Sequence, residues 1–208
     1  QDLKYHGEET ELIVGDGNTI REYVTIHRGT ANGEGVTRIG EGNLLMAYVH
    51  VGHDSIIEDR TIVANAVQLA GHIRLESQCA IGGASALHHF VTVGRSAYVG
   101  GMTRVVRDVP PFMFVEGNPA RVRKVNTVGL ARQKMADDQI ETLKYAYRTL
   151  YTEQGTSQTG AQADHLVQLE AEFPDDQNIA HLVQSLRRSA AGVYGRHRES
   201  LRKDDPYH

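Results

Sequence analysis

The sequence predicts a mainly β chain: a parallel β-helix of hexapeptide repeats over residues 1–125, then a small α-helical domain over 126–208. Three observations predict it. An aliphatic residue recurs every six positions; glycines and β-branched residues concentrate ahead of about Val128; and Ala, Gln, Glu, Leu and Arg dominate after it. A period of six with one inward aliphatic per repeat suits a solenoid in which each hexad makes a short strand and a turn, and three hexads close a coil. A helical period of 3.6 fits none of this run.

The elements follow in order. Val14, Ile20 and Ile26 open the line of inward positions. The chain starts at Gln1 in mid-pattern, so further coils are expected ahead of it. The stretch 27–38, HRGTANGEGVTR, breaks the period and is polar and glycine-rich, so it should be a loop thrown out from the coils. Such loops are where binding groups tend to sit. The line resumes at Ile39 and continues through Leu45, Val51, Ile57, Val63, Leu69, Leu75, Ile81, Leu87, Val93, Val99 and Val105. The fourth residue after each is usually small or β-branched, as at Val49, Ser55, Thr61 and Val67. Pro110 and Pro111 cannot donate to a ladder and should stop the stack. Ile140, Leu143, Tyr147 and Leu150 then mark one helix, Leu166 and Leu169 a second, and Ile179, Leu182, Val183 and Leu186 a third, with Asp175 and Asp176 as candidate N-caps. The stretch TEQGTSQTG should link the first two, and the chain should fray from Gly192 onward.

Composition sets bounds on function. Charged residues make up 23% of the 208 and the net charge is -4, so no global basic field points to nucleic acid. No apolar run is long enough to span a bilayer. The single Cys79 cannot form an internal disulfide, fits a reducing compartment and occupies an inward position, where plain core packing is expected. Together these predict a cytoplasmic protein.

Eleven histidines are many for this length, and five fall between 50 and 89: His50, His53, His72, His88 and His89. None occupies an inward key position, which argues against core histidines. The hexads starting at Val51, Leu69 and Leu87 share one side of three successive coils, roughly 4.8 Å apart. They carry His53 with Asp54, His72 with Gly71, and His88 with His89. A neutral imidazole is the natural general base for a hydroxyl nucleophile. Asp54 can hold the ring, and a backbone N–H such as that of Gly71 can stabilise an oxyanion. The competing reading is zinc, as in hexapeptide carbonic anhydrases, but those pair histidines five apart on one strand, and no such pair exists here.

The stretches QDLKY, IREYVTIHRGT, NLLMAYVHVGHD, LAGH, IGGASALHHF and VGGMTRVVRDVPP, with the later GLARQKM and AYRTLY, resemble the UDP-N-acetylglucosamine acyltransferases that begin lipid A synthesis. The resemblance covers almost the whole chain. It implies a left-handed β-helix and a homotrimer with sites between subunits. It implies transfer of an (R)-3-hydroxyacyl chain from acyl carrier protein to the glucosamine 3-hydroxyl of UDP-N-acetylglucosamine. No cofactor is implied, since the donor's phosphopantetheine belongs to the carrier. By motif, His53 matches the catalytic base, Asp54 its orienting partner and Gly71 the oxyanion donor. His50 and His72 match substrate contacts, and Gln1, Asp2 and Lys4 match a segment that touches the sugar nucleotide. His88, Asn126 and Arg132 match positions completing the nucleotide site from a neighbouring subunit, with His89 beside them. Gly83, Gly101 and Met102 match the acyl-chain groove. The glycine at Gly101 leaves room for a longer chain, which Met102 and Tyr98 could shorten.

Some residues depart from the pattern. His89 stands in place of Gln and Pro119 in place of His, while Val128 and Gln133 replace polar and charged nucleotide contacts. These bear on nucleotide affinity and leave the chemistry intact. Without the resemblance, Arg132 reads as a solvated arginine at a helix start, and Arg121, Arg123 and Lys124 as a solvated basic run. With it, the run becomes a docking surface for an acidic carrier protein. The alternative is another hexapeptide acyltransferase with a different donor or a 3-amino sugar acceptor. A scaffold without chemistry fits poorly with the retained His53, Asp54, Gly71 and His72.

Overall fold

The chain winds into a parallel β-helix followed by four helices; the computed structural model describes residues 5–151 and 161–192, without the side chains of 161 and 162. The first coil is β1 (Glu11–Val14), β2 (Thr19–Ile20) and β3 (Thr25–Ile26), and the second is β4 (Val36–Ile39), β5 (Leu44–Leu45) and β6 (His50–Val51). Then come β7 (Ile56–Ile57), β8 (Ile62–Val63) and β9 (Gln68–Leu69), and after them β10 (Arg74–Leu75), β11 (Ala80–Ile81) and β12 (Ala86–Leu87). A further coil holds β13 (Thr92–Val93), β14 (Tyr98–Val99) and β15 (Arg104–Val105). Each strand pairs in parallel with its counterpart one coil on, so Leu45 lies beside Val63 and Val51 beside Leu69. Three flat sheets result, led by β1, β2 and β3.

The six-residue line is the interior. Every inward position from Ile39 to Val105 is at most 3% exposed. The fourth residues form a second buried column, in which Ser55, Thr61, Ser85 and Thr103 hide hydroxyls. Thr61 Oγ1 donates to Asn43 Oδ1 at 2.8 Å and Ser85 Oγ to the Gly100 carbonyl at 2.9 Å, so burial costs these groups little. Cys79 lies in this column, and burial pushes its thiol up. In the first coil Leu12, Ile13, Val14 and Ile20 remain exposed, because no described strand covers them.

Each hexad turns through a non-glycine residue at positive φ, one every six positions from Tyr48 (63°) to Met102 (56°). A left-handed L-residue costs about 1–2 kcal/mol. A recurrent hydrogen bond offsets the strain: the turn N–H donates to a carbonyl one coil below, as from His72 to His53 O at 2.9 Å.

Two expectations change. The excursion from the coils is shorter than 27–38, because Val36–Ile39 is strand β4, paired with β1 over its full length. Nor do the prolines stop the stack. Beyond them β16 (Met113–Gly117) adds in parallel to β14, and β17 (Ala120–Val125) folds back antiparallel on it. Pro110 and Pro111 lie in a corner turn, where no ladder donor is needed; Phe112 takes the left-handed corner position at φ 66°.

Four helices follow: α1 (Thr127–Arg132), α2 (Asp137–Tyr151), α3 (Ala161–Glu172) and α4 (Gln177–Ala191). Asn126 caps α1 and Asp176 caps α4, accepting from Asn178 N and Ile179 N. Gly192 ends α4 at φ 69°. Arg132 therefore sits in the last turn of a short helix rather than at a helix start. The apolar stripes of α2, α3 and α4 enclose a second core with Phe112, Met113, Val125 and Leu130. The TEQGTSQTG stretch and the residues after Gly192 lie outside the described residues.

Candidate active site

The three corners of the coil carry different chemistry. The corner leading from the third sheet to the first presents Asp54, His72 and Phe90 in a column, each at positive φ. The corner from the second sheet to the third carries Ala66, Ala84 and Met102, with Gly83 and Gly101 just ahead. The corner from the first sheet to the second carries Arg60, Gln78 and Ser96.

His53 and Asp54 form a bonded pair. Asp54 Oδ2 stands 2.8 Å from His53 Nδ1. An ionised carboxylate only accepts, so Nδ1 carries a proton, and in the neutral ring Nε2 keeps its lone pair. Asp54 is buried, and burial alone would raise its carboxyl; hydrogen bonds from His53 and Thr30 outweigh that and hold it below the ordinary value. The imidazole lies over Gly71: a Cβ there would stand 2.7 Å from both Cε1 and Nε2 of His53. Only glycine admits the ring at this place. Among the described residues the Gly71 N–H has no acceptor.

His72 turns its edge to His53, with ring centroids 5.1 Å apart, and stacks on Phe90 at 4.4 Å. Its Nε2 is 3.8 Å from Asp54 Oδ2. His50 lies in strand β6 with Nδ1 2.9 Å from Thr25 Oγ1, and its ring meets His27 at 5.1 Å. Burial, then the nearby His53, lowers the His50 pKa. His88 and His89 contact each other edge to face at 5.3 Å, and His88 Nδ1 is buried with no partner among the described residues.

His53, Asp54 and His72 offer ligand atoms within 4.8 Å of one another, so a metal must be weighed. Around a tetrahedral zinc, ligand atoms stand roughly 3.3–3.5 Å apart. The 2.8 Å between His53 Nδ1 and Asp54 Oδ2 is a hydrogen-bond separation, and the same oxygen also takes a bond from Thr30. In this arrangement His53 and Asp54 are hydrogen-bonded to each other rather than spaced as two ligands of one zinc.

On the outward face of the second sheet, a cavity of about 640 Å³ is lined by Arg60, Gln78, Tyr98, Phe114, Asn126 and Arg132, among others. Tyr98 stacks on Phe114 at 5.4 Å and Lys124 lies over the Phe114 ring at 5.2 Å. Asn126 is partly committed already: Oδ1 caps α1, and Nδ2 donates to Ser96 O at 2.9 Å. Gln133 bridges the same corner, accepting from Ser96 Oγ at 2.7 Å and donating to Gln78 O at 3.1 Å. Val128 and Arg132 are exposed at the cavity wall. Pro119, after a cis peptide bond, sits in the β16–β17 turn. At the corner from the second sheet to the third, a Cβ on Gly101 would lie 3.3 Å from Gly83 O, and Met102 is 82% exposed. Gln1, Asp2 and Lys4 lie outside the described residues.

Comparison with known proteins matches residues 108–194 to the second domain of UDP-N-acetylglucosamine O-acyltransferase and residues 37–71 to the bacterial transferase hexapeptide repeat. An acyl-[acyl-carrier-protein]–UDP-N-acetylglucosamine O-acyltransferase from Synechocystis sp. is 52% identical over 79% of this chain, which spans 61% of that relative's length. The Anaeromyxobacter dehalogenans relative of the same name is 44% identical over 93% of this chain and 73% of its own. The chain belongs to the acyl-[acyl-carrier-protein]–UDP-N-acetylglucosamine O-acyltransferase family. The UDP-N-acetylglucosamine acyltransferase structure from Bacteroides fragilis superposes with a TM-score of 0.85 at 37% identity, covering 91% of this chain and 72% of that one.

Within this acyltransferase frame, sequence reasoning missed Thr30 and Phe90. Thr30 lies in the aperiodic excursion, where no repeat marks a position. Phe90 had a signal: it falls 18 residues after His72, in the same corner column.

Proposed function

We propose that the chain transfers an (R)-3-hydroxyacyl group from acyl carrier protein to the glucosamine 3-hydroxyl of UDP-N-acetylglucosamine. The observation that supports this best is the Asp54-oriented imidazole of His53 seated over the Gly71 backbone. The bare Nε2 of His53 takes the proton of the sugar hydroxyl as its oxygen attacks the thioester carbonyl. Asp54 stabilises the imidazolium that forms. The Gly71 N–H supports the oxyanion of the tetrahedral intermediate. Collapse breaks the C–S bond, and the leaving pantetheine thiolate takes the proton back from His53. The ester product and free carrier thiol close the balance without a cofactor or metal.

Asn126 and Arg132, matched to nucleotide contacts, and Gly83, Gly101 and Met102, matched to the acyl groove, lie away from the His53 corner, whereas His88 and His89 share it. A complete site therefore fits a trimer, in which His53 of one chain faces the Asn126–Arg132 cavity of its neighbour. By motif, His50, His72, Gln1, Asp2 and Lys4 are assigned to the sugar, and His88, with His89 beside it, to the nucleotide. Gly83 and Gly101 keep a corner low enough for an acyl chain to lie along it, with Met102 at its end. Arg121 and Lys124 on β17 offer positive charge to an acidic carrier, while Arg123 pairs partly with Glu116 at 3.6 Å.

The test is product mass spectrometry after parallel incubations with carrier or coenzyme A 3-hydroxyacyl thioesters and with UDP-N-acetylglucosamine or its 3-amino analogue. An O-acylated sugar nucleotide formed from the carrier thioesters is expected. Product formed only from coenzyme A thioesters, or only with a 3-amino acceptor, contradicts the reading.

A further inference from the structure

The excursion at residues 27–35 sits where the corner column of Asp54, His72 and Phe90 would otherwise continue downward. His72 and Phe90 donate their turn N–H to carbonyls of the coil below, at His53 and Gly71. Asp54 has no such carbonyl; its N–H donates instead to Thr37 Oγ1 at 2.8 Å. Its carboxylate is gripped from the same segment. The Thr30 N–H donates to Oδ1 at 2.9 Å and the Thr30 hydroxyl to Oδ2 at 2.6 Å. Thr30 is buried, and its own carbonyl accepts from Gly33 N and Gly35 N at 3.0 Å each, which folds the excursion back on itself. Gly33 presses against the same carboxylate, since a Cβ there would stand 2.2 Å from Asp54 Oδ1.

We propose that Thr30 is a positioning residue for acyl transfer, fixing the Asp54 carboxylate and thereby the tautomer and angle of His53. The proposal rests on the reading of His53 as general base. With both oxygens tethered, the carboxylate cannot rotate about its Cβ–Cγ bond. That matters because a second imidazole competes for it: His72 Nε2 is 3.8 Å from the oxygen that holds His53. A carboxylate released from the Thr30 hydroxyl can swing toward His72, leaving His53 free to take the tautomer whose outward nitrogen is protonated and cannot act as a base. The groups facing the pair are His72 across the corner, His50 on the same sheet and His27 at the mouth of the excursion.

The experiment compares Thr30→Val, Thr30→Ala, Thr30→Ser, Asp54→Asn and Thr30→Val/Asp54→Asn in the full chain, with His53→Ala in parallel. Thr30→Val and Thr30→Ala are expected to lower kcat by about 10- to 100-fold with KM for UDP-N-acetylglucosamine little changed, a loss typical of groups that orient a reactive ligand. Thr30→Ser is expected to restore most of the rate. In the Asp54→Asn background Thr30→Val should cost little more, because the carboxylate it acts through is gone. Nitrogen-15 spectra of labelled histidine give a readout besides turnover: His53 should hold one tautomer in the parent and exchange between two in Thr30→Val. A parent-like kcat and parent-like His53 spectrum in the folded Thr30→Val or Thr30→Ala protein overturns the proposal. So does a Thr30→Ser protein as slow as Thr30→Val, or a fully additive double variant. An active His53→Ala protein instead removes the general-base reading itself; an inactive one beside a parent-like Thr30→Val removes only the role of Thr30.

Discussion

Gly71 has no room for a side chain, because the His53 ring occupies the space of its missing Cβ. A Gly71→Ala substitution meets no backbone penalty of the left-handed kind, since its φ is not positive. It should therefore fold normally and push the imidazole off its place. Steady-state assays should show kcat reduced by about 100-fold, the size of a lost general base, with a melting temperature near that of the parent. A rate within a few-fold of the parent would mean that the ring position does not matter. His53, Asp54 and Gly71 were legible from the sequence because the hexad frame assigns each a corner and a coil. Thr30 was not, for a physical reason. Its role depends on how an aperiodic segment folds back, and periodicity carries no information there. The commitment of Gln133 to Ser96 and Gln78 was equally hidden, since those partners lie 37 and 55 residues away.

At the scale of elements, the helical domain is stitched to the coils by α4. His181 Nε2 lies 3.1 Å from Glu76 Oε2, and Ser189 bonds to Asp108. Burial raises the Glu76 carboxyl, but the bonds from His181 and from Arg95 N outweigh it, so its value is lowered from 4.5. A carboxyl with a depressed folded value stabilises the fold fully above its unfolded value and loses that contribution as pH falls through the folded one. Glu76→Gln should thus cost about 1 kcal/mol at neutral pH. Thermal melts should show the gap from the parent closing as pH drops below about 4.5, the ordinary value; a gap that widens on acidification contradicts the assignment. Asp176→Ala, which removes the α4 cap, should cost about 1 kcal/mol in urea unfolding; an unchanged midpoint would show that the cap is not used. The three amphipathic stripes foretold α2, α3 and α4 because packing onto a core imposes a period. Helix α1 escaped notice, since six residues leave no stripe to count. The two prolines misled because the ladder rule applies to strands, and they occupy a turn.

For the whole molecule, the proposed trimer places His53 of one chain against the Arg132 cavity of the next, since the two lie on different corners of one chain. Mixing His53→Ala with Arg132→Ala chains in co-assembled trimers should restore activity to about a quarter of the parent, as random cyclic neighbours place intact halves together. Mixtures as inactive as either variant alone contradict a shared site. The six-residue period made the β-helix legible because each hexad repeats the same inward contact. The meeting of one chain with the next leaves no such mark in a single sequence. The account rests in the end on His53 as the base that activates the sugar hydroxyl. The direct test is the rate of acyl transfer from acyl carrier protein to UDP-N-acetylglucosamine by His53→Ala, with unchanged assembly and circular dichroism. A fall in kcat of about 100- to 10,000-fold is expected; a rate close to the parent's would contradict the account.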